Sequence, residues 1–505
     1  MIKDILVLGA GSAGLLAALS CKQKLPAIQV RVVRSPDIGV IGVGEGTTPL
    51  FPDHLFNYVG IRPSIFYARA NPTWKLGVHF LRWGPRECFD YSFEHQLDVH
   101  WNDLSRANGY YCEEEFSNVN LAAALMAQGN VFARHPKGGG PDIQPWSAFH
   151  IENRQFVEVL ELVAREAGVE FIDGRMQGAE RGPEGIAAIL LDDGRRFEAD
   201  FFIDASGFRS ELLGGVLEEP FIRYDRALFC DRAVVGGWER TTEPILPYTI
   251  AEGMDAGWAW QIEHEHHVNR GYVYSSQAIS DDDAAAEFKR KNPKVPASPR
   301  IVKFYSGRHR RSWVDNVLAI GNADGFVEPL EATALMVVCG QCRDFIASLT
   351  AGGFMVTPTI RDLYNAMHGE RWDEIRDFLA VHYKFNTRGT TPFWQHCRED
   401  TQLGGAEAIV EFYRENGPTG LARFLIPSRL MSFGIEGYLV LLVGNRVPYR
   451  QRHTASPAEW KLCHERRAAF AAQARAGMNV REALACIRHP GWTWHNDPAP
   501  VIKSA

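Results

Sequence analysis

The stretch FVEPLEATAL (326–335) sets two carboxylates, Glu328 and Glu331, on either side of Pro329 and then runs into small apolar residues that open a helical pattern. An acid at a helix entrance has its charge favoured by the helix dipole, and the free amides behind it can hold an anion. Near the start of the chain, Gly9, Gly11 and Gly14 form G-A-G-S-A-G, with Ser12 and Ala13 between the last two glycines, directly after an apolar run. Side-chain-free backbone there lets a pyrophosphate reach the amides at the positive end of the following helix, which is the chemistry of a dinucleotide cradle. Two further clusters could be reactive by residue type alone. Cys339 and Cys342 form C-x-x-C, but with Leu335, Val338, Phe345, Ile346 and Leu349 they fall at helical spacings, so both thiols lie on the apolar stripe of one helix rather than in a redox pair. His264, His266 and His267 (EHEHH) sit between two strand-like runs without a second ligand pair, and no metal site is expected of them.

These groups need a scaffold, and the composition supplies one. The 505 residues are 46% hydrophobic and 23% charged, ample for one large or two to three smaller cores. A net charge of -7 with no long run of Lys or Arg leaves no electrostatic footprint for nucleic acid. No apolar run is read as reaching the ~18 residues of a membrane span, and the N-terminus enters a core strand without a leader pattern, so a cytoplasmic protein without a membrane partner is expected. Nine unevenly spaced cysteines point to reduced thiols.

Residues 4–34 read strand, Gly-rich turn, helix, strand. Strand-like runs at 197–204, 257–262, 271–276 and 316–320 make the middle of the chain a mixed sheet, and from about 334 onward the pattern is helical. No internal repeat or low-complexity linker is present, and the loop 135–145 reads as a surface excursion without a phosphate-loop lysine. The second strand ends on Arg34, where a ribose-binding acid is expected about 20 residues into the motif. An arginine there can hold the 2′-phosphate of NADP, and Asp37 is a substitute acid.

The runs FFIDASGFRS (201–210) and NVLAIGNADGFVEPL (316–330) each end an apolar strand in a small-residue turn. With the N-terminal βαβ unit this resembles the FAD-binding domain of the aromatic hydroxylase superfamily, an α/β fold. The resemblance implies a Rossmann-like FAD-binding domain with a mixed sheet at 1–350, carrying an inserted segment around 85–150. A mainly helical subdomain at 351–505 would then cover the substrate. No second G-x-G-x-x-G follows a strand, so no separate NAD(P)H domain is expected.

Five ordered motifs go further: GVGEGTTP (42–49), TWKLGVHFLRWG (73–84), GWAWQI (257–262), GFVEPLEATAL (325–335) and TPFW (391–394). Together they resemble the flavin-dependent tryptophan halogenases over most of the chain, more weakly after about 400. The resemblance implies that reduced FAD, delivered by a separate flavin reductase, reacts with O2 and halide to give hypohalous acid, which crosses to a second chamber and halogenates an electron-rich arene. It makes Lys75 and Glu331 the catalytic pair. A lysine ammonium in a partly dry site is a strong donor to a neutral oxidant or, once its pKa is lowered, a nucleophile toward halogen; a glutamate can stabilise the cationic ring and take its proton. Glu328 is read as structural.

The resemblance further assigns Gly9, Gly11, Ser12, Ala13, Gly14, Arg34, Glu45, Gly46, Asn322, Gly325 and Leu335 to FAD, the amides of Thr333 and Ala334 to the halide ion, and Phe93, Trp258, Trp260, Phe393 and Trp394 to the substrate pocket. Several positions depart from the family pattern. Ala334 stands where glycine is usual, which reshapes the halide nest and bears on chloride against bromide. Glu263 replaces the proline of W-x-W-x-I-P. The residues that grip the backbone of free tryptophan have no counterpart beyond EFYRENG (411–417), so an indole-type arene other than free tryptophan is the expected substrate. The competing readings are a flavin monooxygenase, a flavin-binding sensor or scaffold, and an NADP-dependent reductase.

Overall fold

The computed structural model describes residues 1–36, 39, 44–94, 97–296, 299–427 and 432–494, so Asp37 and the first two residues of GVGEGTTP lie outside the described residues. The apolar run Asp4–Leu8 forms the middle of a six-stranded sheet in the order 313–314, 317–319, 201–204, 4–8, 29–34, 170–173. All neighbours run parallel except the antiparallel pair at the 313–314 edge. Strands buried on both faces read as continuous apolar runs, which is the pattern of DILVL and FFID. Helices Ser12–Lys24, Asn153–Glu166 and Ala334–Ala351 cover one face through Leu15, Leu19, Leu160, Val338 and Phe345. The three-stranded meander 176–198 covers the other through Ile186, Ile189 and Leu191.

A second, seven-stranded sheet has the order 300–303, 232–239, 267–274, 257–263, 249–254, 77–81, 88–92 and is antiparallel apart from the 249–254/77–81 pair. It packs with the long helix Pro358–Phe385 and the helices Pro392–Asp400 and Gly434–Gly444 into one large apolar core. A small sheet joins the two halves: Ala148–Ile151 pairs on one side with Glu45–Gly46 and on the other with Thr73–Lys75. Those pairings carry the glycine strap after the nucleotide motif to within one strand of the lysine.

Ala334–Ala351 has the 18 residues and apolarity of a membrane span, which the sequence reading did not credit to any run, but 61% of it is buried inside the protein. Cys339 and Cys342 are both buried free thiols on that helix, packed in the core beneath the six-stranded sheet.

Candidate active site

The glycines of the first turn divide into two kinds. A Cβ on Gly9, whose φ is +113°, would lie 2.4 Å from the Ala205 carbonyl oxygen, and one on Gly14 would lie 2.0 Å from the Gly9 carbonyl oxygen; both are required by close packing of strand, turn and helix. A Cβ on Gly11 would meet nothing within 4 Å. Gly11 is the N-cap of Ser12–Lys24, which has no side-chain cap and no acid in its first turn, so the free amides face open space. That cradle fits the pyrophosphate of a dinucleotide. Gly11→Ala is therefore expected to leave the melting temperature of the apoprotein within about 1–2 °C of wild type while weakening FAD binding ~10-fold or more, read by flavin fluorescence titration.

Arg34 is already engaged. Its guanidinium donates to Asp173 and Glu161, each at 2.6 Å, and a 2′-phosphate would have to displace both. Glu45 accepts from Asn153 at 3.0 Å, and burial raises its carboxyl to about 7. Asn322 is exposed in the turn 321–323, Gly325 packs against the Gly307 carbonyl, and Leu335 is buried in the helix below them.

Lys75 ends its short strand fully buried, with its Nζ in no hydrogen bond among the described residues and 5.0 Å from the centre of the Phe93 ring. Burial lowers its pKa to about 8, against an opposing pull from the Glu331 carboxylate. The point where a Cβ on Gly46 would stand is 3.2 Å from this Nζ, 3.3 Å from Ala332 Cβ and 3.5 Å from Thr249 Oγ1. The space beside Gly46 is thus bordered by the ammonium, the Ala332 methyl and the Thr249 hydroxyl. His150, bonded to Thr249 at 2.8 Å, is held neutral by burial and by the nearby Lys75 charge, so it offers the ammonium no counter-charge.

Glu331 does not occupy the helix itself. Pro329–Glu331 is a single 3₁₀ turn, Ala332 follows in the left-handed region (φ 55°), and Thr333 is the N-cap, without a side-chain cap of its own. The chain therefore turns between the acid and the amides of Thr333 and Ala334, and the two can serve different ligands. Glu331 lines a cavity of ≈ 170 Å³ together with Tyr91, Phe93, Met336, Phe433 and Glu436. Its Oε1 lies 2.8 Å from His382 Nε2, and both side chains are 1% exposed.

The other aromatic candidates fall elsewhere. Trp258 and Trp260 are buried in strand Gly257–Glu263, ring centres 6.2 Å apart, and are not among the residues lining this cavity. The Trp260 ring lies across Gly271 of the neighbouring strand, where a Cβ would come within 2.0 Å of it. Both indole N–H groups lack acceptors among the described residues, and beside Trp258 Glu328 is fully buried, approached by Tyr383 and Trp258 without a closed hydrogen bond and raised by burial to about 7. Phe393 and Trp394 likewise stand away from the cavity lining. Trp394 donates to the Met254 carbonyl at 2.6 Å and stacks on Tyr383, so the backbone acceptor at the sheet end draws this pair into the core.

Glu263, in the place of proline, has its carboxylate buried against Arg240, each side chain 1% exposed, and accepts from Gln261 at 2.7 Å. The histidine cluster closes on a distant acid: His267 Nε2 lies 3.0 Å from Glu152 Oε1, 115 residues away, and the His264 ring stacks on His267 at 4.4 Å. His382, Tyr91 and Phe433 were not legible as site residues. Their spacing is that of ordinary core positions, and only the fold brings them to Glu331 and the cavity.

A mostly parallel sheet behind the glycine turn is thus joined through the lysine-bearing strand to a second, mostly antiparallel sheet. A model of the tryptophan halogenase family matches residues 4–458, and the chain belongs to that family. Tryptophan 7-halogenase KtzQ of Kutzneria sp. (strain 744) is 32% identical over 458 residues, 83% of each chain. MibH, a lathipeptide tryptophan 5-halogenase, superposes with a TM-score of 0.86 at 36% identity over 96% of this chain and 93% of its own. Xcc4156, a flavin-dependent halogenase from Xanthomonas campestris, does so at 0.85 and 27% over 96% and 98%.

Proposed function

We propose that the chain is the halogenating component of a cytoplasmic two-component system: it takes reduced FAD from a separate flavin reductase and uses O2 and chloride or bromide to halogenate an indole-type arene other than free tryptophan. Bound reduced flavin would supply, with O2 and halide, the hypohalous acid. Gly9, Gly11, Ser12, Ala13 and Gly14 would hold its pyrophosphate, the strap at Glu45 and Gly46 would pass beside it, and Asn322, Gly325 and Leu335 would line it, while the amides of Thr333 and Ala334 would hold the halide. Lys75 Nζ holds and polarises the oxidant, and Glu331 takes the proton from the halogenated ring. The observation that carries this reading is the Lys75 ammonium: buried, without a hydrogen-bond partner among the described residues, beside Gly46, and within the electrostatic reach of Glu331. A buried cation left unpaired is costly to fold around, so its retention points to a ligand that it meets only during turnover.

Incubation with a flavin reductase, FAD, NADH, O2, bromide and a panel of indoles should give brominated products carrying the bromine isotope pattern. Hydroxylated products would instead establish the monooxygenase reading, and absence of any halide-dependent product across the panel would leave only flavin binding.

The lowered pKa of Lys75 sets two opposite pH dependences. Because its folded value of about 8 lies below the 10.5 of an ordinary lysine, the unfolded chain binds more protons between those values, and this group's contribution to stability rises with pH across that window. Halogenation, which needs the ammonium, should fall as pH rises past about 8. Denaturant titrations and initial rates at the same pH values should separate, with stability holding or rising where the rate declines.

A further inference from the structure

His382 has both ring nitrogens on acceptors. Nδ1 lies 3.0 Å from the Phe378 carbonyl oxygen, which can only accept, and Nε2 lies 2.8 Å from Glu331 Oε1. Nδ1 therefore carries a hydrogen, and one further proton must lie between Nε2 and Oε1, since two lone pairs cannot face each other at that distance in a dry site. The ring is enclosed by Phe80, Trp83 and Phe378 at centre distances of 5.3, 5.9 and 5.2 Å, so its orientation is set by packing as well as by these bonds.

Resting on the halogenase reading above, we propose that His382 is the positioning residue of Glu331: it rests as an imidazolium that fixes the Glu331 carboxylate at the cavity and keeps it ionised until the arene proton arrives. The titratable groups facing the pair favour that distribution. Lys75 attracts the same carboxylate from the strap side. Tyr91 is kept neutral by burial, with the Glu331 and Glu436 charges acting in the same direction, and Glu436 lines the cavity farther out, its carboxylate approached by the Leu97 amide.

In the deprotonation step the C–H bond at the halogenated carbon breaks, its electron pair restores the aromatic ring, and the proton bonds to Glu331. The pair then holds two protons in place of one. His382 cannot pass the extra proton onward, because the acceptor beyond Nδ1 is a helix carbonyl; the proton leaves from Glu331 to water entering the cavity as product departs. The histidine is thus a fixed counter-charge that lets the acid lose its proton again, and not a wire to the surface.

The test uses the full chain with ¹⁵N-labelled histidine. The His382 signal, assigned by its loss in His382→Gln, should show both nitrogens protonated at neutral pH, and in Glu331→Gln it should become a neutral ring protonated at Nδ1. His382→Gln keeps a donor but no charge; its kcat should fall roughly 10-fold with KM unchanged, and the acid limb of its rate profile should move to higher pH, while His382→Phe should lose about 10²-fold or more. A neutral His382 in the wild-type protein, an unshifted acid limb in His382→Gln, or wild-type kcat in a folded, flavin-binding His382→Phe would overturn the proposal. Failure of the wild-type enzyme to halogenate any arene would count against the functional reading instead, and the labelled-histidine result would still stand or fall separately.

Discussion

On the proposed reading, Lys75→Ala should bring halogenation down by at least about 10³-fold, because it removes a buried positive group proposed to hold the oxidant. The fold gives no reason for the chain to collapse in response. Among the described residues the ammonium makes no hydrogen bond, and it stands 5.0 Å from the centre of the Phe93 ring and beside Gly46. Removing a desolvated cation recovers its burial cost, while the alkyl stem leaves a cavity with a cost of its own. Lys75→Met separates the two by filling the space without the charge. It should melt at or slightly above the wild-type temperature, by roughly 1–2 °C, and still be inactive. Product analysis by mass spectrometry and a thermal melt on the same preparation decide the matter: an active Lys75→Ala enzyme ends the assignment of this residue, and a strongly destabilised Lys75→Met shows that the lysine is a packing element.

Glu331→Gln should lower kcat by about 10²–10⁴-fold, the span associated with loss of a positioned general base. The amide matches the carboxylate in shape and can still meet His382 by donating its N–H to Nε2, so flavin and arene binding should persist and the defect should appear in kcat rather than KM. Part of the loss follows from the histidine, since without the carboxylate no counter-charge holds the imidazolium form. Lys75 should respond as well. It loses the carboxylate that opposes its desolvation, so its pKa should move further below about 8 in this variant. A variant that keeps wild-type kcat would return Glu331 to the role of a buried acid at a turn.

Much of the scaffold follows from local pattern. The alternation of apolar run, glycine turn and apolar helix at residues 4–34 specifies a βαβ unit, and Gly14 answers a local demand, close approach to the Gly9 carbonyl, whereas the space denied at Gly9 is set by the distant Ala205. The helical periodicity of residues 334–351 likewise assigned Cys339 and Cys342 to packing, and burial of both thiols is what that stripe requires. The paired tryptophans were legible as a strand, and the chemistry-bearing motifs were legible as a family. Boundaries of short turns were less so. Glu331 was placed at the helix start, but Pro329 favours a separate turn, and the left-handed residue Ala332 breaks the helix from it.

The sequence by itself determined the N-terminal βαβ unit, the apolar faces, and the family to which the chain belongs. The tertiary structure alone decided what surrounds them. Strand pairing of Ala148–Ile151 with both Glu45–Gly46 and Thr73–Lys75 brings the strap to the ammonium, and nothing local encodes that register. His382 reaches Glu331 across 51 residues through the packing of the long helix on the second sheet, while Trp394 is drawn from the cavity into the core by a backbone acceptor 140 residues away. Periodicity reports which face of an element is buried, but not which buried faces meet. Burial, unpaired polar atoms and pKa are properties of those meetings, and so the site's chemistry exists only in the folded chain.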